Sequence, residues 1–128
     1  MKILLSIRPE FAELILCGEK AYEFRRVVFR DQSVRSALIY ATRPIGQIIG
    51  QFDIAGVISG PPTTIWKQTR HRAGVTRSLF TSYFAGQRIA YALAVAKTTR
   101  FRRPLELKEV IPSGVAPQSF TYVRHSFG

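Results

Sequence analysis

Lysine, glutamate and arginine stand close together in Gly18-Glu19-Lys20-Ala21-Tyr22-Glu23-Phe24-Arg25-Arg26. The glycine ahead of them lets the backbone turn sharply. Two cations and one carboxylate within six residues can hold an anionic or a polar planar ligand. The same residues can also form an ordinary surface ion pair. Alternation from Ala21 to Val28 predicts a strand with Tyr22 and Phe24 on one face and Glu23 and Arg25 on the other. Lys20 precedes the regular alternation, so its direction depends on the turn.

The elements that must position this triplet can be read on both sides of it. Lys2 to Ile7 reads as a strand. Arg8-Pro9-Glu10 then starts a helix, with proline suited to the first turn and glutamate complementing the dipole. Phe11, Leu14 and Ile15 fall at helical spacing, Cys17 is expected on the buried side, and Gly18 ends the helix. Ser36 to Thr42 reads as a strand. Gln47 to Ser59, with Gly50 and Gly56, reads as a long bent or bulged one. Two short helices are predicted around Thr63–Gln68 and Thr76–Phe84, the second with Val75, Leu79 and Tyr83 on one face, widened by Phe80 and Phe84. Arg88 to Arg100 is the strongest strand. Leu105–Val110 reads as a turn or short strand, and Ser119 to Val123 as a last strand. The order β-α-β-β-β-α-α-β-β does not alternate as βαβ units do. It points to an α+β domain, a small, partly open antiparallel β-barrel with about three short helices.

Charge is the second strong feature. The 128 residues carry a formal charge of +11, yet are 46% hydrophobic and 12% aromatic, as a single folded domain over residues 1–128 would be. Between Asp53 and Glu106 there is no acid, while Lys67, Arg70, Arg72, Arg77, Arg88, Lys97, Arg100, Arg102 and Arg103 fall in that interval. A solubilising surface mixes both signs. An arginine-dominated half suggests a phosphate-rich partner, because guanidinium forks match phosphate oxygens. Arg70-His71-Arg72 reads as a phosphate clamp or a solvated loop. Arg77 adds a further cation, and Arg100-Phe101-Arg102-Arg103 interleaves cations with an aromatic, as a backbone-tracking patch would. Trp66 reads as a core lid, and Tyr22, Tyr40 and Tyr122 mostly as barrel core.

Other classes are poorly served. One cysteine allows no internal disulfide, and neither it nor His71 and His125 has the spacing of a metal site. No metal or cofactor is expected. The apolar runs are too short for a signal peptide or a bilayer span, so a cytoplasmic protein without membrane contact is expected. His71 offers a base for ribonuclease chemistry, but no second proton carrier accompanies it.

Three ordered blocks now carry a resemblance: Ile3-Leu-Leu-Ser-Ile-Arg-Pro-Glu-Phe-Ala, Gly18-Glu-Lys-Ala-Tyr-Glu-Phe-Arg-Arg and Tyr40-Ala-Thr-Arg-Pro. Together with Tyr83-Phe-Ala-Gly, Ala90-Tyr-Ala-Leu and Pro117-Gln-Ser-Phe-Thr-Tyr-Val, they make nearly the whole chain resemble the stand-alone ASCH domains of the PUA-like superfamily. The resemblance implies a small barrel with a cleft lined by Lys20, Glu23 and Arg25. It places Arg8 and Tyr40 to Arg43, with Thr42 among them, close by. It also implies RNA or a nucleotide as partner and links to RNA processing and transcriptional coactivation. Some members resemble amidohydrolases that deacetylate N4-acetylcytidine, and others are ribonucleases. Those amidohydrolases use a lysine, a threonine and a glutamate from the helical segment. Here Lys20 matches, Glu23 stands at the threonine position, and Pro61 to Gly86 contains no acid. An RNA-binding module is therefore the leading expectation. A hydrolase with Lys20 and Glu23 as catalytic residues is the alternative. A DNA-associated regulator using the helix pair as a helix-turn-helix is a third. The sequence leaves the oligomeric state open.

Overall fold

The computed structural model describes residues 1–124, so His125 lies outside the described residues. Six strands form one curled sheet, β1 (Lys2–Ile7), β2 (Tyr22–Arg25), β3 (Ser36–Ala41), β4 (Gln47–Gly60), β5 (Ala90–Leu105) and β6 (Phe120–Val123), in the order β2-β5-β4-β3-β1-β6. Helices α1 (Pro9–Leu16), α2 (Pro62–Thr69), α3 (Arg77–Tyr83) and the single turn α4 (Leu107–Val110) complete an α+β half-barrel.

One pairing departs from the antiparallel expectation. β1 and β3 run parallel, from Lys2 opposite Ser36 to Ile7 opposite Ala41. No hairpin signal follows β1. Pro9 starts a helix instead, and α1 carries the chain to β2 at the far edge of the sheet before it returns, which is the long connection a parallel pair needs. The apolar run in β1 then has a reason. Ile3, Leu5 and Ile7 enter the core under α1, while Leu4 enters a second core with Leu38, Tyr40 and Val110.

β4 and β5 supply the curl. Their ladder shifts register between Ile48 and Gly50, Phe52 and Ile54, and Ile54 and Gly56, so the expected bulged strand is present. Gly50 is needed there: a Cβ would lie 2.5 Å from the Thr99 carbonyl oxygen and 2.9 Å from Leu16 Cδ2. A third core joins the helix pair to the sheet, with Ile65, Phe80 and Phe84 over Phe24, Ala90 and Ala92. The small alanines of β5 make room for the aromatic rings.

Two local expectations are corrected and a third is narrowed to one of its alternatives. Cys17 is exposed, because it is the C-cap of α1, where the chain already turns into Gly18 at φ +89°. Tyr122 is exposed, and its hydroxyl accepts from the Arg30 and Asp31 amides at 3.0 and 3.3 Å. Leu107–Val110 is a helical turn, held by Glu106 and Glu109 in a reciprocal capping box. No helix among the described residues is long and apolar enough to cross a membrane.

Candidate functional site

The sheet does not close by a backbone ladder. β2 is one edge, β6 is the other, and β1 lies next to β6. A single guanidinium spans this seam. Arg25 of β2 donates from Nη1 to the Ser6 carbonyl of β1 at 3.4 Å, and from Nη2 to the carbonyl and hydroxyl of Ser119 at 2.8 and 3.2 Å. Nη1 also donates to Glu23 Oε2 at 3.1 Å, in an ion pair whose two side chains are each 9% exposed. Arg25 Nε is buried without a partner among the described residues.

A cleft of about 190 Å³ opens along this seam. The end of β1 gives it Ser6, Ile7 and Arg8; α1 gives Phe11; Lys20, Glu23, Phe24 and Arg25 come from the turn and β2; Val75, Leu79, Phe80 and Tyr83 come from α3 and the loop before it. Its walls are mostly apolar, and its one carboxylate is Glu23. Glu23 Oε2 is taken by Arg25, whereas Oε1 receives no hydrogen bond among the described residues.

Lys20 is buried at the cleft floor, 2% exposed. The Gly18 turn delivers it there: its amide donates to the Leu14 carbonyl, and the Ala21 amide donates to the Arg72 carbonyl, each at 2.9 Å. Arg72 in turn donates to the Gly18 carbonyl. Nζ then donates to the Ala73 carbonyl at 2.7 Å and lies 4.6 Å from the centre of the Phe24 ring and 5.7 Å from that of Phe11. Gly74, at φ +69°, lets the loop pass over the lysine stem. Burial lowers the Lys20 pKa from 10.5 to about 8, with Glu23 pulling the other way.

That shift predicts a pH dependence. Below about 8 the amine is protonated in the folded and unfolded chain alike. Between about 8 and 10.5 the unfolded chain holds more protons, so stability rises with pH through that window. From pH 7.5 to 9, Lys20 should add about 1 kcal/mol. Urea unfolding at both pH values should show this increment in the wild type and its loss in Lys20→Met. An equal pH response in both proteins would mean that the burial is not felt.

The structure thus brings Arg8, Lys20, Glu23 and Arg25 together. Arg8 sits at the rim, paired with Glu10 at 2.8 Å and 5.2 Å from the centre of the Phe11 ring. Tyr40, Thr42 and Arg43 do not line the cleft, contrary to expectation. Tyr40 packs with Leu4, Leu38 and Ile48 in a separate core, Thr42 is half-buried beyond β3, and Arg43 is exposed. The cleft also uses residues that sequence reasoning missed. Phe11, Leu79 and Tyr83 read only as amphipathic helix faces, and Ser119, which accepts from Arg25 across the seam, read only as the start of the last strand.

The arginines expected to track a nucleic-acid backbone do not line the cleft. Arg100 pairs with Glu13 and Arg103 with Glu109, all four largely exposed, so these bonds are weak. Arg102 is exposed without a partner among the described residues. Arg70 and Arg77 line a second groove between α2 and α3.

The model of the ASCH domain matches residues 5–102. An ASCH domain-containing ribonuclease from Zymomonas mobilis is 32% identical over 124 residues, covering 94% of this chain and 83% of that protein. The crystal structure of ASCH from Zymomonas mobilis superposes with a TM-score of 0.88 at 31% identity, over 96% of this chain and 87% of that one. The N-terminal domain of Staphylothermus marinus McrB, at 10% identity and a TM-score of 0.57 over 96% of this chain and 88% of that one, shares the fold. Matched along most of its length in sequence and in backbone, the chain belongs to the ASCH domain family.

Proposed function

We infer that this protein binds single-stranded RNA and seats one unstacked base in the seam cleft. The observation that carries the reading is the composition of that cleft. Aromatic walls from Phe11, Phe24, Phe80 and Tyr83, with Val75 and Leu79 beside them, end at a polar floor of Lys20, Glu23 and Arg25. Flat apolar walls suit a base removed from its stack. Its volume of about 190 Å³ is small beside the roughly 300–1,000 Å³ of clefts for larger ligands, so the guest is one base rather than a stack.

The floor also favours particular bases. Oε1 of Glu23 is the free acceptor, and a carboxylate accepts from the exocyclic amino group of cytosine or adenine. Uracil offers a carbonyl at the corresponding edge. Oligo-C or oligo-A should therefore bind tighter than oligo-U. Glu23→Gln keeps the shape and replaces one acceptor oxygen with a donor, and should weaken that preference about tenfold, the size of one good base contact. Fluorescence anisotropy with labelled nonamers reads both, with thermal unfolding of each variant checking the fold. Equal affinity for all three homopolymers, unchanged by Glu23→Gln, would overturn the reading.

Cleavage of the bound strand is the second reading. It is favoured by the ribonuclease among the relatives and by an amine whose pKa is lowered to about 8 beside the cleft's one carboxylate. Lys20→Met separates the two readings. Loss of strand scission with binding retained supports the enzyme. Scission at the wild-type rate in Lys20→Met removes Lys20 from the chemistry.

A further inference from the structure

The second groove, of about 420 Å³, lies between α2 and α3. Trp66, Lys67 and Arg70 reach it from α2 and its C-cap; Arg77 and Thr81 reach it from α3. Lys67, Arg70 and Arg77 are exposed, and none of the three forms an ion pair or a side-chain hydrogen bond among the described residues. Among the described residues Arg8, Arg25, Arg100 and Arg103 each hold a carboxylate, while Arg102 shares the unpaired state of the groove cations but lies outside the groove. The acid-free sequence around the groove leaves its three cations exposed and without a carboxylate partner among the described residues.

Helix stability does not account for all of them. Lys67 stands in the last turn of α2, where a cation favours the dipole, but Arg77 is the first residue of α3, where a cation opposes it, and that turn has no acid. An anion in the groove gives all three a partner. Trp66 adds a second requirement. Its ring is partly exposed on the groove, propped by Phe80 at 5.0 Å between centroids and tilted by 49°. Guanidinium forks beside an indole face match a phosphodiester with an unstacked base, and an acidic peptide has no use for the ring.

Phe80 links the two cavities, because it lines both. α3 is the partition: Leu79 and Tyr83 face the cleft, Arg77 and Thr81 the groove. We propose that the α2–α3 groove is a second nucleotide subsite for single-stranded nucleic acid, with Lys67, Arg70 and Arg77 on the phosphates and a base stacked on Trp66. A strand seated by one base in the cleft crosses α3 and lays a neighbouring nucleotide in the groove. The identity of the strand as RNA rests on the reading above, while the subsite itself rests on the groove.

Trp66 is the one tryptophan of the chain, so its emission reports on the groove alone. Titration with an oligo-A ribonucleotide nonamer should quench it, with an affinity that falls with salt. In Lys67→Ala/Arg70→Ala/Arg77→Ala the slope of log K against log salt should drop by about 2, since each phosphate contact to a single strand contributes about 0.7. Glu23→Gln and Lys20→Met, which alter the cleft and not the groove, should weaken the affinity read by the quenching while leaving its amplitude at saturation in place. Binding seen by anisotropy without any change in Trp66 emission would overturn the subsite and spare the cleft. Quenching with unchanged salt slope in the triple variant would overturn the phosphate assignment. Equal quenching by polyglutamate would make the groove a site for any polyanion and overturn the stacked base. Quenching that survives while base preference is absent would separate the failure of the cleft reading from the success of this one.

Discussion

Arg25→Met is expected to lower the unfolding free energy by about 3–5 kcal/mol, the cost of removing one partner from a buried ion pair. Methionine keeps an unbranched apolar stem and removes the guanidinium, so the loss comes chiefly from the polar contacts rather than from the stem. The cost arises because Glu23 stays behind, 9% exposed and without its cation, and because the Ser6 and Ser119 carbonyls lose their donor across the seam. Domains of this kind hold only about 5–15 kcal/mol in total, so the variant should sit near its threshold. The urea midpoint reads it directly. Arg25→Lys keeps the charge, but an ammonium cannot fork over Glu23, Ser6 and Ser119 together, and an intermediate loss is expected. Glu23→Leu/Arg25→Met should recover most of the stability, because burying neither charge is cheaper than burying one. A loss below 1 kcal/mol in Arg25→Met would show that the seam does not depend on this latch.

The sequence carries the local half of this arrangement and not the global half. Alternation in Tyr22–Arg25 put Glu23 and Arg25 on one face, and the apolar spacing of Val75, Leu79 and Tyr83 marked α3 to within a residue or two. Both are signals confined to a few neighbouring positions. That β2 and β6 are opposite edges of one sheet is a fact about strand order, which depends on the parallel placement of β1 beside β3. No spacing encodes it. The seam, and Arg25 as its bridge, therefore appear only once the sheet is assembled. Tyr40 read from its strand as barrel core, which it is; only the resemblance placed it by the cleft, and β3, covered on both faces, carries its ring into the second core instead. The α4 turn could not be told from a short strand because Glu106, a less favoured cap residue than serine or threonine, opens its capping box.

Gly74→Ala tests whether Lys20 is held from above as well as from the side. Gly74 has φ +69°, and a Cβ there would lie 2.5, 2.6 and 2.8 Å from Cγ, Cβ and Cδ of Lys20. Two costs combine: about 1–2 kcal/mol for a left-handed alanine and about 1–3 kcal/mol for the overlap. Gly86→Ala separates them. Gly86 has a similar φ of +79°, but nothing lies within 4 Å of its Cβ position, so only the backbone cost applies. Gly74→Ala should therefore be the more destabilising by about 1–3 kcal/mol in urea unfolding. The excess should shrink in a Lys20→Ala background, where Cγ and Cδ are gone and only the Cβ contact remains. Because the lysine stem can yield only by drawing Nζ away from the Ala73 carbonyl, the same variant should weaken oligo-A binding, whereas Gly86→Ala should not. Equal losses of stability at the two glycines would mean that the stem moves aside freely, and that the cleft floor is softer than its packing indicates.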